Sequence, residues 1–323
     1  MALPDFFIIG APKAGTTALH VALAQHPHLY MSPVKEPKFF LCDGPPPDRG
    51  GPGDAHSYRE WVWRREDYER LFDAAPAGSL RGESTPFYLA DPAAHRRIHE
   101  QVPAARLIVI LRDPVDRAYS NWAHLWADGR EPIGDFVEAC AEEPHRTADG
   151  WAPFWRYLDT GLYGRHLQHL YGLFPRQQVH VIRYKSLVDE PQTTLDGICR
   201  FLGVEEGLLS EAPAVNVGGY VSPSWSTSVL QTVFRHGASL GSHFPPQIWR
   251  KVSLPLQWLI QRTPQHRPEL PERERAKLLD YFSEDIDIVE QETGWDLQEW
   301  RNYRVGGTYS VRRSWAPSRR LVS

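Results

Sequence analysis

The chain has 323 residues, of which 41% are hydrophobic, 24% charged and 12% aromatic. That is ample apolar material for one large core or two modest ones, and it excludes disorder as the main state. A formal net charge of −4 argues against a protein that coats a nucleic-acid polymer. No apolar run approaches the roughly 20 residues that a membrane span needs.

The first element is Asp5-Phe-Phe-Ile-Ile-Gly10, a continuous apolar stretch ending in glycine, which predicts a buried strand. A helix is expected from Thr16 to Gln25, stopped by His26-Pro27. Asp43 to Asp54 is rich in proline and glycine and reads as a mobile surface loop. Two further strand–helix pairs follow: Arg106–Leu111 with 115–128, and 179–184 with 193–202. This alternation predicts an α/β fold, a P-loop-like parallel sheet flanked by helices. Ligands of such sheets bind beyond the carboxyl ends of the strands, so the junctions at 10–17 and 111–120 belong near the site.

Residues 221–265 carry Trp225, Phe234, Trp249 and Trp258 among helix-compatible stretches, which predicts a helical insertion at about 205–265. From 271 to 293, Leu278, Leu279, Phe282, Ile286 and Val289 recur at helical steps, and Gly294 ends the pattern. No linker interrupts residues 1–300, which read as a single domain. The segment 301–323 holds six arginines and no acid. It reads either as a solvated tail or as a basic arm over an anionic ligand.

Three cysteines without CxxC spacing give neither a disulfide framework nor a zinc site, which suits a reducing, cytoplasmic compartment. The N-terminal residues carry no signal-peptide pattern. His26 with His28, and His95 with His99, lack the acidic or thiol partners of a metal set, so no metal site is expected.

The turn Gly10-Ala-Pro-Lys-Ala-Gly-Thr-Thr17 is close to the phosphate-binding pattern G-x-x-x-x-G-K-[ST]. The glycines and Thr17 are in place, but Thr16 stands where the lysine should be, and the lysine is three positions earlier, at Lys13. Backbone N–H groups, with the Thr16 and Thr17 hydroxyls, can still cradle a phosphate. Lys13 then addresses a different atom of the ligand. After the second strand comes Arg112-Asp113-Pro114, an anion clamp where a metal-holding acid would be expected of a kinase. Ser120 adds a hydroxyl one helical stretch further on. Two anion sites at neighbouring strand ends call for a ligand with two separated phosphates.

These residues carry a resemblance. The turn Pro12-Lys-Ala-Gly-Thr-Thr17 resembles the 5′-phosphosulfate loop of sulfotransferases that use 3′-phosphoadenosine 5′-phosphosulfate (PAPS), and Arg112 to Ser120 resembles their 3′-phosphate site. The likeness continues through Gly82-Glu-Ser-Thr-Pro-Phe-Tyr88, residues 179–203 and 271–300. It is strongest for the carbohydrate type, the heparan-sulfate sulfotransferases and their bacterial relatives. There, Lys35-Glu36-Pro-Lys-Phe-Phe40 resembles a segment E-x-H-F-F, with Lys38 in place of the histidine. Ser84 stands where several members carry an active-site lysine.

The resemblance implies in-line transfer of a sulfuryl group from PAPS to a hydroxyl or amine. Glu36 is the expected base, and Lys13 stabilises the leaving group. Lys13, Ala14, Gly15, Thr16, Thr17, Arg112 and Ser120 are expected to hold the nucleotide, and no metal is required. Lys35 or Lys38 is the candidate to replace the missing lysine. The expected acceptor is a small glycoside, glycolipid or secondary metabolite of a bacterial cytoplasm, with Trp61, Trp63, Trp225 and Trp249 either stacking on it or packing in the core. Two alternatives stay open on the residues: a P-loop-type kinase or NTPase, and a catalytically silent nucleotide-binding protein.

Overall fold

Two stretches, residues 3–209 and 270–302, are described by a computed structural model of the chain. Their centre is a five-stranded, wholly parallel sheet in the order β2-β3-β1-β4-β5. The strands are β1 (Phe6–Gly10), β2 (Leu29–Met31), β3 (Leu80–Ser84), β4 (Arg106–Leu111) and β5 (Val179–Arg183). Phe6, Phe7, Ile8 and Ile9 of β1 are fully buried, as a central parallel strand covered on both faces requires. Apolar runs predict β1, β4 and β5. The pattern is silent on β2 and β3, whose sequences LYM and LRGES are too short or too polar to stand out.

Helices cover the sheet: α1 (Thr16–Leu23), α2 (Pro92–Gln101), α3 (Pro114–Ala127), α4 (Tyr163–Tyr171), α5 (Pro191–Leu202) and α6 (Glu272–Thr293). The expected ends hold to within two residues. Asp113 starts α3 by accepting the N–H groups of Val115 and Asp116 at 2.9 and 3.0 Å, as an N-cap should. Gly294, at φ 71°, ends α6 in the left-handed conformation that glycine adopts without strain. Leu278, Phe282, Ile286 and Val289 of α6 are buried on one stripe. The carboxylate of Asp285 reaches from α6 to the N-terminus of α4, accepting from Gly164 at 2.8 Å and Arg165 at 3.0 Å.

The Pro/Gly stretch has no strand or α-helix from Asp43 to Gly53, as expected. Its end is nevertheless pinned. Asp54 is fully buried and accepts from Gly51 N at 2.7 Å, Ala152 N at 2.8 Å and Trp155 Nε1 at 2.8 Å. Nearby, Arg146 makes a bidentate pair with Glu131, 2.8 Å on each arm, and stacks over Trp151 and Trp155. These two knots tie residues 131–155 to one another and to the end of the Pro/Gly stretch. The expected insertion beyond residue 209 and the tail beyond 302 lie outside the described residues. No helix among the described residues is long and apolar enough to cross a membrane.

Candidate active site

All strands being parallel, their carboxyl ends share one edge of the sheet. β1 leads into the Gly10–Gly15 turn, β2 into Ser32–Lys38, β3 into Ser84-Thr85, β4 into Arg112-Asp113 and β5 into Tyr184. At that edge opens a cavity of about 450 Å³. Lys13, Gly15, Thr16, Thr17, Glu36, Lys38, Arg112 and Ser120 all line it. Residues more than a hundred positions apart thus converge on one space, of the size that small-molecule sites occupy.

The β1 turn is shaped by close packing. A side chain at Gly10 would lie 2.4 Å from Leu89 Cβ, so the turn can sit down only on a glycine. Lys13 has φ 66° and Gly15 φ 87°, which turns the backbone before α1 begins. Ala14 departs from expectation. It is fully buried, its N–H is bonded to Ala11 O at 3.2 Å, and it is absent from the cavity wall. The turn's tightness uses that N–H internally. Arg112 donates from Nη1 to Lys13 O at 3.1 Å and lies 5.1 Å over the Tyr184 ring, so the turns after β1 and β4 are physically joined. Burial lowers the pKa of Lys13, with the charges of Asp128 and Glu36 opposing and those of Arg112 and Lys35 assisting.

Glu36 is held by backbone and charge together. Its N–H donates to Ser84 O at 2.9 Å, Pro37 O accepts from Val62 N at 2.9 Å, and Lys38 N donates to Thr85 Oγ1 at 3.3 Å. The same segment places Glu36 and Lys38 both at φ 62°. Left-handed conformations in non-glycine residues cost energy and persist where surrounding contacts over-determine them. Lys13, Glu36 and Lys38 are the described non-glycine residues with positive φ, and all three face the cavity.

Lys35 Nζ lies 2.8 Å from Glu36 Oε1, and Lys38 Nζ 3.7 Å from Oε2. Burial by itself would raise the Glu36 carboxyl. Lys35, Lys38 and Lys13 outweigh it and hold the group below its ordinary range. Of the two lysines, Lys38 is on the cavity wall and Lys35 is not. Ser84 is fully buried, its hydroxyl 2.9 Å from His20 Nδ1. Burial and the Lys35 charge push the His20 pKa down to about 4, so the Ser84–His20 pair is neutral.

Sequence reasoning missed part of the wall. His124 and Asp128 follow Ser120 at steps of four, so α3 and its end present one continuous stripe to the cavity. That spacing was a usable signal. Tyr184, Arg130, Phe154, Ser57 and Glu60 also line the space, and nothing local marks them. Trp61 is a core residue, 8% exposed and packed edge-on to Tyr58, and Trp63 carries Arg64 on its ring; neither lines the cavity. Trp225 and Trp249 lie outside the described residues.

A glycine-rich β1 turn, the Arg112 turn and a lysine-flanked glutamate therefore meet at one edge of a parallel sheet. Comparison with known proteins shows what the chain is similar to. The model described as "Sulfotransferase family" matches residues 52–207. Over 203 residues the chain is 30% identical to human heparan sulfate glucosamine 3-O-sulfotransferase 3B1, covering 63% of this chain and 47% of that protein. It is likewise 30% identical over 208 residues to human bifunctional heparan sulfate N-deacetylase/N-sulfotransferase 3, covering 62% of this chain and 22% of that one. The chain thus spans about half the length of the 3-O-sulfotransferase relative and less of the bifunctional one. Among solved structures, a sulfotransferase from Alicyclobacillus acidocaldarius superposes with a TM-score of 0.73 at 29% identity, covering 94% of this chain and 100% of that chain. The chain is thus similar to sulfotransferases, over residues 52–207 to the family model and beyond that to the heparan-sulfate sulfotransferases and to a bacterial relative.

Proposed function

We propose that the protein transfers the sulfuryl group of PAPS to a hydroxyl, or an amine, of a small acceptor such as a glycoside, glycolipid or secondary metabolite, in a cytoplasmic setting. The observation that carries this reading is the meeting of Lys13, Glu36, Lys38, Arg112 and Ser120 in the lining of one cavity. A cation at a phosphate turn, a carboxylate beside it and a separate anion clamp are the parts that sulfuryl transfer needs.

The Gly15 turn, Thr16 and Thr17 receive the 5′-phosphosulfate, and Arg112 with Ser120 receives the 3′-phosphate. An acceptor enters beside Glu36, His124 and Asp128. Glu36, ionised at neutral pH, takes the acceptor's proton as the new oxygen–sulfur bond forms. The bond from sulfur to the bridging oxygen breaks in line, and adenosine 3′,5′-bisphosphate departs. Lys13 neutralises the charge that builds on its 5′-phosphate. Lys38, on the cavity wall beside Glu36, supplies the second cation, while Lys35 holds Glu36 by ion pairing. A kinase reading is disfavoured by Asp113, whose carboxylate is spent capping α3 and pairing with Arg275.

Thermal-shift titration with PAPS, adenosine 3′,5′-bisphosphate and Mg-ATP separates the classes. The bisphosphate and PAPS should stabilise the protein, whereas stabilisation by Mg-ATP alone would sink the proposal. Glu36→Gln should then lower turnover about a hundred- to ten-thousandfold with bisphosphate affinity retained. Near-normal turnover in a labelled-PAPS acceptor screen would remove Glu36 as the base.

A further inference from the structure

Arg112 has acidic neighbours. Asp113 is next to it in the chain and Asp116 lies one turn into α3. An arginine meant to bind a phosphate is of little use if a nearby carboxylate claims it first, because charge-assisted pairs with carboxylates and with phosphates are of similar strength. The structure answers this with a residue from the far end of the chain. Arg275, in the first turn of α6, has a side chain only 3% exposed. It donates from Nη1 to Asp116 Oδ1 at 2.9 Å and from Nη2 to Asp113 Oδ2. Nη2 also donates to Trp300 O at 3.5 Å, so the guanidinium is held by a residue beyond α6 as well as by α3.

The division of labour at Asp113 is complete. Oδ1 caps α3 through Val115 N and Asp116 N, and Oδ2 is taken by Arg275. Arg112 instead donates to Lys13 O at 3.1 Å, lies over the Tyr184 face and lines the cavity. A planar fork suits the task, since one guanidinium can meet two carboxylates at once and a lysine cannot.

We propose that Arg275 is a positioning residue for Arg112: by occupying Asp113 and Asp116 from α6, it leaves the Arg112 guanidinium available to an anion in the cavity and thereby sets the preference for a nucleotide bearing a 3′-phosphate. The inference rests on the reading of this cavity as a PAPS site. It adds a residue that never touches the ligand, and it makes nucleotide selection depend on the docking of α6.

The test is calorimetric affinity for adenosine 3′,5′-bisphosphate and for AMP, which lacks the 3′-phosphate. Wild type should prefer the bisphosphate; equal affinity for the two would overturn the site assignment itself, independently of Arg275. Given that preference, Arg275→Gln should weaken bisphosphate binding about ten- to a hundredfold, the scale of a misplaced binding group, while AMP changes by less than about twofold. A second substitution, Asp116→Asn in the Arg275→Gln background, should recover part of the loss, because one unpaired carboxylate is removed. Arg275→Lys, which keeps the charge and guards against a variant that fails to fold, should also lower the bisphosphate-to-AMP ratio, by about threefold. A structural role alone would shift melting temperature and leave that ratio unmoved. An unchanged ratio in either folded Arg275 variant would overturn the proposal.

Discussion

Glu83 offers a sharp test of the electrostatics behind the site. It lies near the end of β3, in register with Phe7 of β1, and is fully buried. Neither carboxyl oxygen has a partner of full hydrogen-bond geometry among the described residues. Burial pushes its pKa up to about 8, with the Glu36 charge adding to the rise and the Tyr88 and Tyr68 hydroxyls opposing it. The folded protein therefore keeps Glu83 protonated at neutral pH. An unfolded chain releases that proton near 4.5, so between there and about 8 the folded state binds more protons. Stability is fully present below the lower value and falls as pH rises through the upper one. At about 1.4 kcal/mol per pH unit, a window some 3.5 units wide sets a ceiling of about 5 kcal/mol. Glu83→Gln keeps the shape and removes the proton, and with it the pH dependence. Urea unfolding of both proteins from pH 5 to pH 9 isolates the effect, because Glu36 and every other titrating group largely cancel in the difference. The variant should match or slightly trail wild type at the acid end and gain several kcal/mol at the alkaline end. Parallel stability curves would refute the reasoning.

Two further substitutions probe the site and its support. Gly15→Ala places a Cβ 3.1 Å from the Tyr184 ring at a position with φ 87°. It should cost about 1–2 kcal/mol in unfolding free energy and weaken adenosine 3′,5′-bisphosphate, with unchanged affinity counting against the turn as a phosphate site. Arg146→Met strands the buried Glu131 carboxylate and should destabilise by about 3–5 kcal/mol in denaturant titration. Bisphosphate affinity of the folded variant should stay within about twofold, because Arg146 lies off the cavity wall.

Local pattern carried much of the frame. Apolar runs announced β1, β4 and β5, and the 3.6-residue stripe with its terminal glycine announced α6. These signals are legible because burial on both faces of a parallel strand, or on one stripe of a helix, writes itself directly into residue type. β2 and β3 escaped because three residues, or a strand reading Leu-Arg-Gly-Glu-Ser, leave no run to detect. β3 is a strand because β1 supplies a partner edge, and β2 because β3 does in turn, which is a property of the assembled sheet.

The displaced lysine of the glycine-rich turn pointed to Lys13, the Lys35–Phe40 segment to Glu36 and Lys38, and Arg112-Asp113-Pro114 to a second proposed anion site. Those are short motifs whose chemistry is complete in a few residues. Which lysine faces the cavity, that Ala14 turns inward and that Ser84 pairs with a neutral His20 were settled by packing. The same holds for His124 and Asp128, and for Arg275 reaching back 159 residues to Asp116. Sequence determines which groups the chain owns and where its strands turn. Only the parallel sheet, by bringing every carboxyl end to one edge, decides which of those groups meet, because a charge acts over a few ångströms of space and not over distance along the chain.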